Sequence, residues 1–151
     1  MLVAVAISAC HMGMHKRSDD LPWSEEVRYL NRIDEALLDR KRADSGKFSG
    51  NLKDLDKDIP DETKNYVYSI AVRGDNWAES FAIAKIDTIN SYISIVYFPK
   101  DETNNLSAIS TICESKKPTK SVTKNSIRHA ISDGYPLCPD GYTTVRSFGR
   151  S

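Results

Sequence analysis

Residues 66–98 read YVYSIAVRGDNWAESFAIAKIDTINSYISIVYF. β-branched, aromatic and small residues recur there with a period of two, which is the signature of strands with one face buried. Tyr66 to Val72 (YVYSIAV) forms the first expected strand, Phe81 to Ile86 (FAIAKI) the second and Tyr92 to Phe98 (YISIVYF) the third. Gly74-Asp75-Asn76 is a turn signal between the first two. Toward the C-terminus, Pro99 to Asn105 reads as a polar hairpin loop and Leu106 to Cys113 (LSAISTIC) as a fourth strand. Strands this close in sequence favour an antiparallel meander.

Toward the N-terminus the period changes. Val27, Leu30, Ile33, Leu37 and Leu38 recur at helical spacing, with Arg28, Arg32, Glu35, Asp39 and Arg42 mostly off the stripe. Ser24 is placed to cap this helix, and Glu25 and Glu26 suit the positive end of its dipole. Arg40, Lys41 and Arg42 suit the other end, and Gly46 supplies a stop. The spacing predicts a helix over residues 25–43. A polar loop follows, GKFSGNLKDLDKDIPDETKN, anchored by Phe48, Leu52, Leu55 and Ile59.

A helix with one apolar stripe and a sheet with one apolar face bury each other in two layers. The fold class is therefore α+β, with an N-terminal helix packed on a four-stranded antiparallel sheet. Leu30, Ile33, Leu37, Tyr68, Ile70, Ile83, Ile93 and Ile95 are expected in the core. After Glu114 the chain turns polar. Ile127, Ala130 and Ile131 have the spacing of a brief helical turn. The end reads DGYPLCPDGYTTVRSFGRS, in which two Asp-Gly turns bracket Cys138 and Tyr142 to Phe148 is a candidate short edge strand.

The totals narrow the class of function. With 151 residues, 40% of them hydrophobic, the chain has the size and composition of one ordinary folded domain. Lysine plus arginine equals aspartate plus glutamate, 21 against 21, so there is no electrostatic case for nucleic acid or for a polybasic membrane patch. Of the three cysteines, Cys113 and Cys138 fit no tight zinc spacing. An oxidised pair in an oxidising compartment is the better reading, against two unrelated buried thiols.

Met1 to Ala9 (MLVAVAISA) is apolar but too short to span a bilayer, and it lacks the positive n-region of a signal peptide. It reads either as the remnant of a longer export or anchor segment or as a buried or frayed terminal element. Ile7-Ser8-Ala9-Cys10 also has the form of a lipoprotein cleavage site, which would lipidate Cys10.

One helix, a loop, an antiparallel sheet and a C-terminal segment with two cysteines together resemble type IV pilins and the pseudopilins of type II secretion. MLVAVAIS is similar to the middle of that family's N-terminal motif. The segment from Arg28 to Pro60, ending in GKFSGNLKDLDKDIP, is similar to the stretch after the anchor helix, and TKNYVYSIAV to the first sheet strand. The motif's Gly-Phe-Thr-Leu-Ile-Glu stretch is absent, and HMGMHKRSDD is polar where the anchor would stay apolar. The resemblance therefore implies an N-terminally truncated or degenerate member. Residues 1–24 would be a short apolar anchor remnant with a polar linker, and residues 25–151 the pilin-like globular domain. Cys113 and Cys138 match the family's terminal disulfide loop.

The resemblance further implies a non-enzymatic structural subunit of a type IV pilus or pseudopilus-like filament. Its partners would be other pilin or pseudopilin subunits, together with the inner membrane through a longer anchor helix if one is present upstream. Its place would be the bacterial inner membrane and periplasm or a cell-surface filament. The rival reading is a secreted or lipid-anchored binding module that presents the disulfide loop.

Sites of chemistry are sparse, and no cofactor, metal or catalytic residue is assigned. His11 and His15, with Cys10, Met12 and Met14 nearby, would share a helical face and could hold a metal, against an unstructured exposed stretch. Asp54, Asp56, Asp58, Asp61 and Glu62 could take calcium, but they lack the glycine and terminal glutamate of an EF-hand loop. Ser126, His129 and Asp133 lie close in sequence, as such common residues do by chance. Tyr66, Tyr68, Tyr92, Tyr97 and Phe98 could form a stacking platform, with sheet packing the ordinary explanation.

Overall fold

A computed structural model describes residues 23–43, 47–99, 107–122, 127 and 129–150. The expectations for Met1 to Ala9, Cys10, His11 and His15, for the Pro99–Asn105 loop beyond Pro99, and for Ser126 lie outside these residues. Helix α1 runs Glu25–Ala43, as its caps and stripe predict. Its first turn closes with the Arg28 amide on the Ser24 carbonyl at 3.1 Å. Leu30, Ile33 and Leu37 have no exposed surface. Burying each contributes about 2 kcal/mol relative to leaving it in water.

A single turn, α2 (Leu52–Leu55), follows; its Asn51 cap accepts from the Lys53 amide. The sheet then builds from β1 (Tyr66–Arg73), β2 (Trp77–Ala84), β3 (Tyr92–Tyr97) and β4 (Ala108–Ser115). A two-stranded hairpin, β5 (Ile131–Ser132) and β6 (Tyr135–Pro136), precedes β7 (Tyr142–Arg150). The order is β1-β2-β3-β4-β7, antiparallel at every pairing.

Three expectations need correction. The sheet has five strands rather than four: the candidate edge strand at Tyr142 to Phe148 is β7, which runs on to Arg150 and pairs along all of β4. Strand β2 begins at Trp77 rather than Phe81. The helical turn read at Ile127, Ala130 and Ile131 is not present: Ile131 opens the β5–β6 hairpin. Asp133 and Gly134, both at positive φ (51° and 81°), make its turn. Two successive residues at positive φ give the turn twist that a two-residue hairpin needs, and Asp-Gly tolerates it.

The strand alternation divides the core in two. Toward α1 lie Tyr66, Tyr68, Ala78, Ala82, Val96, Phe98 and Ile112, packed with the helix stripe. On this face β2 offers only small side chains, Ala78, Ser80, Ala82 and Ala84, and α1 crosses over β2, β3 and β4. On the other face lie Phe81, Ile93, Ile95 and Cys113, covered by Ile127, Val122 and Cys138 from the segment between β4 and β7. Ile70 and Ile83, expected in the core, are only partly buried at the margins of these two clusters.

Strand β7 serves both faces. Its register shifts opposite Ile112 and Cys113: Arg146 pairs with Ile112 but Thr144 pairs with Cys113, leaving Val145 as the extra residue of a bulge. One extra residue reverses the facing of everything beyond it. Phe148 accordingly packs with the helix-side cluster and Tyr142 with the opposite one.

Candidate functional site

Among the described residues, the face away from α1 is closed by chain whose regular structure is the short β5–β6 hairpin, so its fastenings decide what it can do. Cys113 sits in the middle of β4, fully buried, and is bonded to Cys138 across 25 residues of sequence, with Cα atoms 5.7 Å apart. Thr144, beside the bulge, places its hydroxyl 3.3 Å from the Cys138 sulfur. The loop expected between these cysteines is therefore a covalent cover lying over the sheet.

A second fastening lies further along the cover. Glu79 of β2 has no exposed surface, and its Oε1 is 2.6 Å from Nε2 of His129. Its Oε2 accepts from Nε of Arg73 on β1 at 3.4 Å. The imidazole lies against Trp77, ring centres 5.0 Å apart, and Trp77 packs in turn on Tyr97 at 4.5 Å. A carboxylate without water is costly unless it is paired and hydrogen-bonded, and here both oxygens are engaged.

Of the trio Ser126, His129 and Asp133, His129 finds a carboxylate, but it is Glu79, 50 residues away in sequence. Asp133 stands exposed in the hairpin turn, and Ser126 lies outside the described residues. A carboxylate sealed from solvent and shared with Arg73 is suited to holding the cover down.

The helix side has its own buried carboxylate. Asp34, 1% exposed, accepts from the Ser80 hydroxyl at 3.2 Å and the Ser94 hydroxyl at 2.6 Å, which joins α1 to β2 and β3. Lys41 is also buried; its ammonium donates to the Asp75 carbonyl and lies 4.0 Å over the Phe48 ring. Neither Asp34 nor Glu79 stood out in the sequence as a site. The signal was present in position: Asp34 falls four residues after Leu30 and three before Leu37, and Glu79 shares the parity of Trp77 and Phe81.

The remaining candidates are accounted for by packing and pairing. Tyr66, Tyr68, Tyr92 and Phe98 belong to the helix-side core, and Tyr97 leans on Trp77, so they form no open platform. Burial pushes the Tyr66 hydroxyl up to about 12, with the charges of Glu26, Glu114 and Glu25 adding to the effect. Tyr68 and Tyr92 are raised as well, mainly by burial; the Tyr92 hydroxyl donates to Glu114 at 2.7 Å. In the acidic loop, Asp56 and Asp58 turn to Arg32, Asp61 to Lys53, Glu62 to Lys85, and Asp54 accepts from Ser49. Among the described residues no group of three potential metal ligands gathers; Asp56, Asp58, Asp61 and Glu62 are ion-paired and Asp54 is hydrogen-bonded to Ser49.

Residues 25–132 match the family described as type IV pilin-like G and H, putative. That match covers α1, the first four strands and most of the cover, and the chain belongs to this type IV pilin-like family. No curated protein and no solved structure matches the chain significantly. Among the described residues, no helix is long and apolar enough to cross a membrane.

Proposed function

We propose that this chain is a structural subunit of a type IV pilus or type II secretion pseudopilus-like filament, assembling with other pilin-like subunits. The observation that carries the reading is the family match over residues 25–132, which takes in α1, the first four strands of the sheet and Cys113, while its disulfide partner Cys138 lies beyond the matched stretch. The function is mechanical. A subunit in a filament is pulled and sheared, so its layers need fastenings beyond apolar burial. Asp34 ties the helix to two strands, and the disulfide and the Glu79–His129 pair tie the cover to the sheet. In this reading residues 1–24 are a short apolar anchor remnant with a polar linker, reaching the inner membrane through a longer anchor helix if one is present upstream, and residues 25–151 are the body in the periplasm or on the cell surface.

The experiment is to join a complete apolar anchor helix, with its docking glutamate, to the body. The fusion is expressed in one host with a working pilus machine and in another with a secretion pseudopilus. Recovery of the chain in sheared filaments of one host assigns the system. A fusion that inserts in the membrane yet never enters filaments of either host overturns the proposal.

A further inference from the structure

Two adjacent basic residues on the cover carry no ion pair among the described residues and line one cleft together; Arg28, Lys47, Lys57 and Lys64 are also without an ion pair. Lys53, Lys85 and Lys120 each meet a carboxylate, Asp61, Glu62 and Asp87 respectively. Lys116 and Lys117, adjacent and exposed, have no acceptor for their ammonium groups among the described residues. Both line a cleft of about 400 Å³ between residues 115–121 and 140–142, immediately beyond the two disulfide cysteines. That volume falls in the range of small-ligand sites.

The walls are fixed by hydrogen bonds that leave the lysine side chains out. The Ser115 amide donates to the Ser91 carbonyl at 2.9 Å and the Ser91 amide to the Ser115 hydroxyl at 3.0 Å. The Lys116 amide donates to the Gly141 carbonyl at 2.8 Å, joining the two sides of the cleft. The Ser115 hydroxyl holds the Lys117 carbonyl at 2.8 Å, and the Ser91 hydroxyl holds that of Thr119. A concavity pinned in this way loses little further freedom when it is filled.

The remaining lining defines the ligand's chemistry. Tyr142 and Pro118 supply an aromatic and an aliphatic surface; the Thr119 hydroxyl is engaged by Ser121, donating to its carbonyl at 3.0 Å and accepting from its amide at 3.2 Å, so Ser121 and Tyr142 supply the hydroxyls that face a ligand. Burial raises the Tyr142 hydroxyl above its ordinary range, so it stays a neutral donor. The one carboxylate in the lining, Asp140, is already engaged, so it leaves the two ammonium groups without a counter-ion. Two cations, the Ser121 and Tyr142 hydroxyls and apolar patches in one small cleft fit a polyhydroxylated ligand with C–H faces and an anionic group.

We propose that this cleft binds an acidic saccharide, with the sugar carboxylate on Lys116 and Lys117 and the ring against Tyr142 and Pro118. The site is built within one chain, so the full chain suffices to test it. The probes are glucuronate and a short glucuronate-containing oligosaccharide, with glucose and inorganic sulfate as comparisons. Titration calorimetry should give saturable binding of the oligosaccharide, at least tenfold tighter than of glucose or sulfate. Amide chemical shifts should move at residues 115–121 and 140–142. The double variant K116Q/K117Q should lose at least tenfold in affinity while keeping the disulfide and an unchanged thermal midpoint. Sulfate binding as tightly as the oligosaccharide, unaltered binding in the double variant, or shift changes elsewhere on the surface would each overturn the proposal. Absence of saturable binding by either glucuronate probe would do the same.

Discussion

The two faces of the sheet solve one problem by different means. Both bury a carboxylate, Asp34 on the helix side and Glu79 on the other. The helix side is covered by nineteen residues in a regular helix, so its apolar stripe carries most of the attachment and Asp34 adds a polar tie. The other side is covered by a chain with, among the described residues, only a two-residue ladder, β5–β6, of its own. Such chain contributes little cooperative hydrogen bonding, and it is held by point fastenings, a disulfide and the close Glu79–His129 contact. A regular cover spreads its stabilisation over a stripe, whereas an irregular one concentrates it in a few bonds.

Breaking the disulfide should separate the faces most sharply. The double substitution Cys113→Ser and Cys138→Ser removes a closure of 25 residues, worth about 3.5 kcal/mol in the chain-entropy account. Urea unfolding should register that loss. Hydrogen exchange should show protection falling across residues 116–141 while α1 stays protected. Equal loss of protection in α1 would mean that the two covers are one cooperative unit.

The two carboxylates give the next largest contrast. His129→Ala leaves Glu79, with no exposed surface, only Arg73 at 3.4 Å, and should cost about 3 kcal/mol. Adding Glu79→Gln should recover part of that loss, because the uncompensated charge goes with it. Ser94→Ala removes one of the two hydroxyls on Asp34 and should cost about 2 kcal/mol. Chemical denaturation of the four proteins checks the order. If Ser94→Ala costs more than His129→Ala, the helix side is the one that depends on point fastenings.

Alkali should act on the helix side first. Tyr66, Tyr68 and Tyr92 lie there, and all three hydroxyls are raised. The unfolded chain releases these protons near pH 10 while the folded chain keeps them, so stability is full below pH 10 and falls as pH rises through 10 to 12. Tyr66→Phe removes one such proton and should reduce the loss at pH 11 by about 1 kcal/mol. Thermal unfolding of both proteins at pH 8 and pH 11 measures this. An unchanged difference between the two pH values would take Tyr66 out of the alkaline transition.

The same contrast explains what could be read in advance. α1 was legible to its last residue because cap, dipole charges and stripe agree. Strands β1 and β3 were legible from alternation alone. The first half of β2 was not, since Glu79 and Ser80 look like loop residues. They are the two points at which the polar networks meet: Ser80 reaches Asp34 on one face and Glu79 reaches His129 on the other. Strand β7 was underestimated because its bulge at Val145 breaks the alternation that marks a strand. The helix-like spacing of Ile127, Ala130 and Ile131 misled because the cover is shaped by the disulfide and the Asp133-Gly134 turn. Glu79 and Asp34 shared a parity or a stripe with core residues, yet their partners are 50, 46 and 60 positions away, which no local pattern records.

The smallest expected effect tests whether the helix cover needs any fastening on its outer side. Arg32 projects from α1 to Asp56 at 3.0 Å and to Asp58 at 3.5 Å, tying the helix to the acidic loop. The Arg32 side chain is 43% exposed and that of Asp58 81%, so water competes with both contacts. Exposed pairs of this kind contribute about 0.2 to 1 kcal/mol, and less in high salt. Arg32→Met keeps the apolar stem and removes the charge, and should cost about 0.5 kcal/mol. It also frees Asp56 and Asp58 from their cation, which gives calcium its best opportunity in this loop. Melting curves of both proteins with and without millimolar calcium should differ only by that small amount, since Asp61 and Glu62 remain paired with Lys53 and Lys85. A calcium-dependent rise confined to Arg32→Met would reveal a latent cation site masked by the arginine. A loss of several kcal/mol without calcium would show that α1, like the opposite cover, hangs on a few bonds.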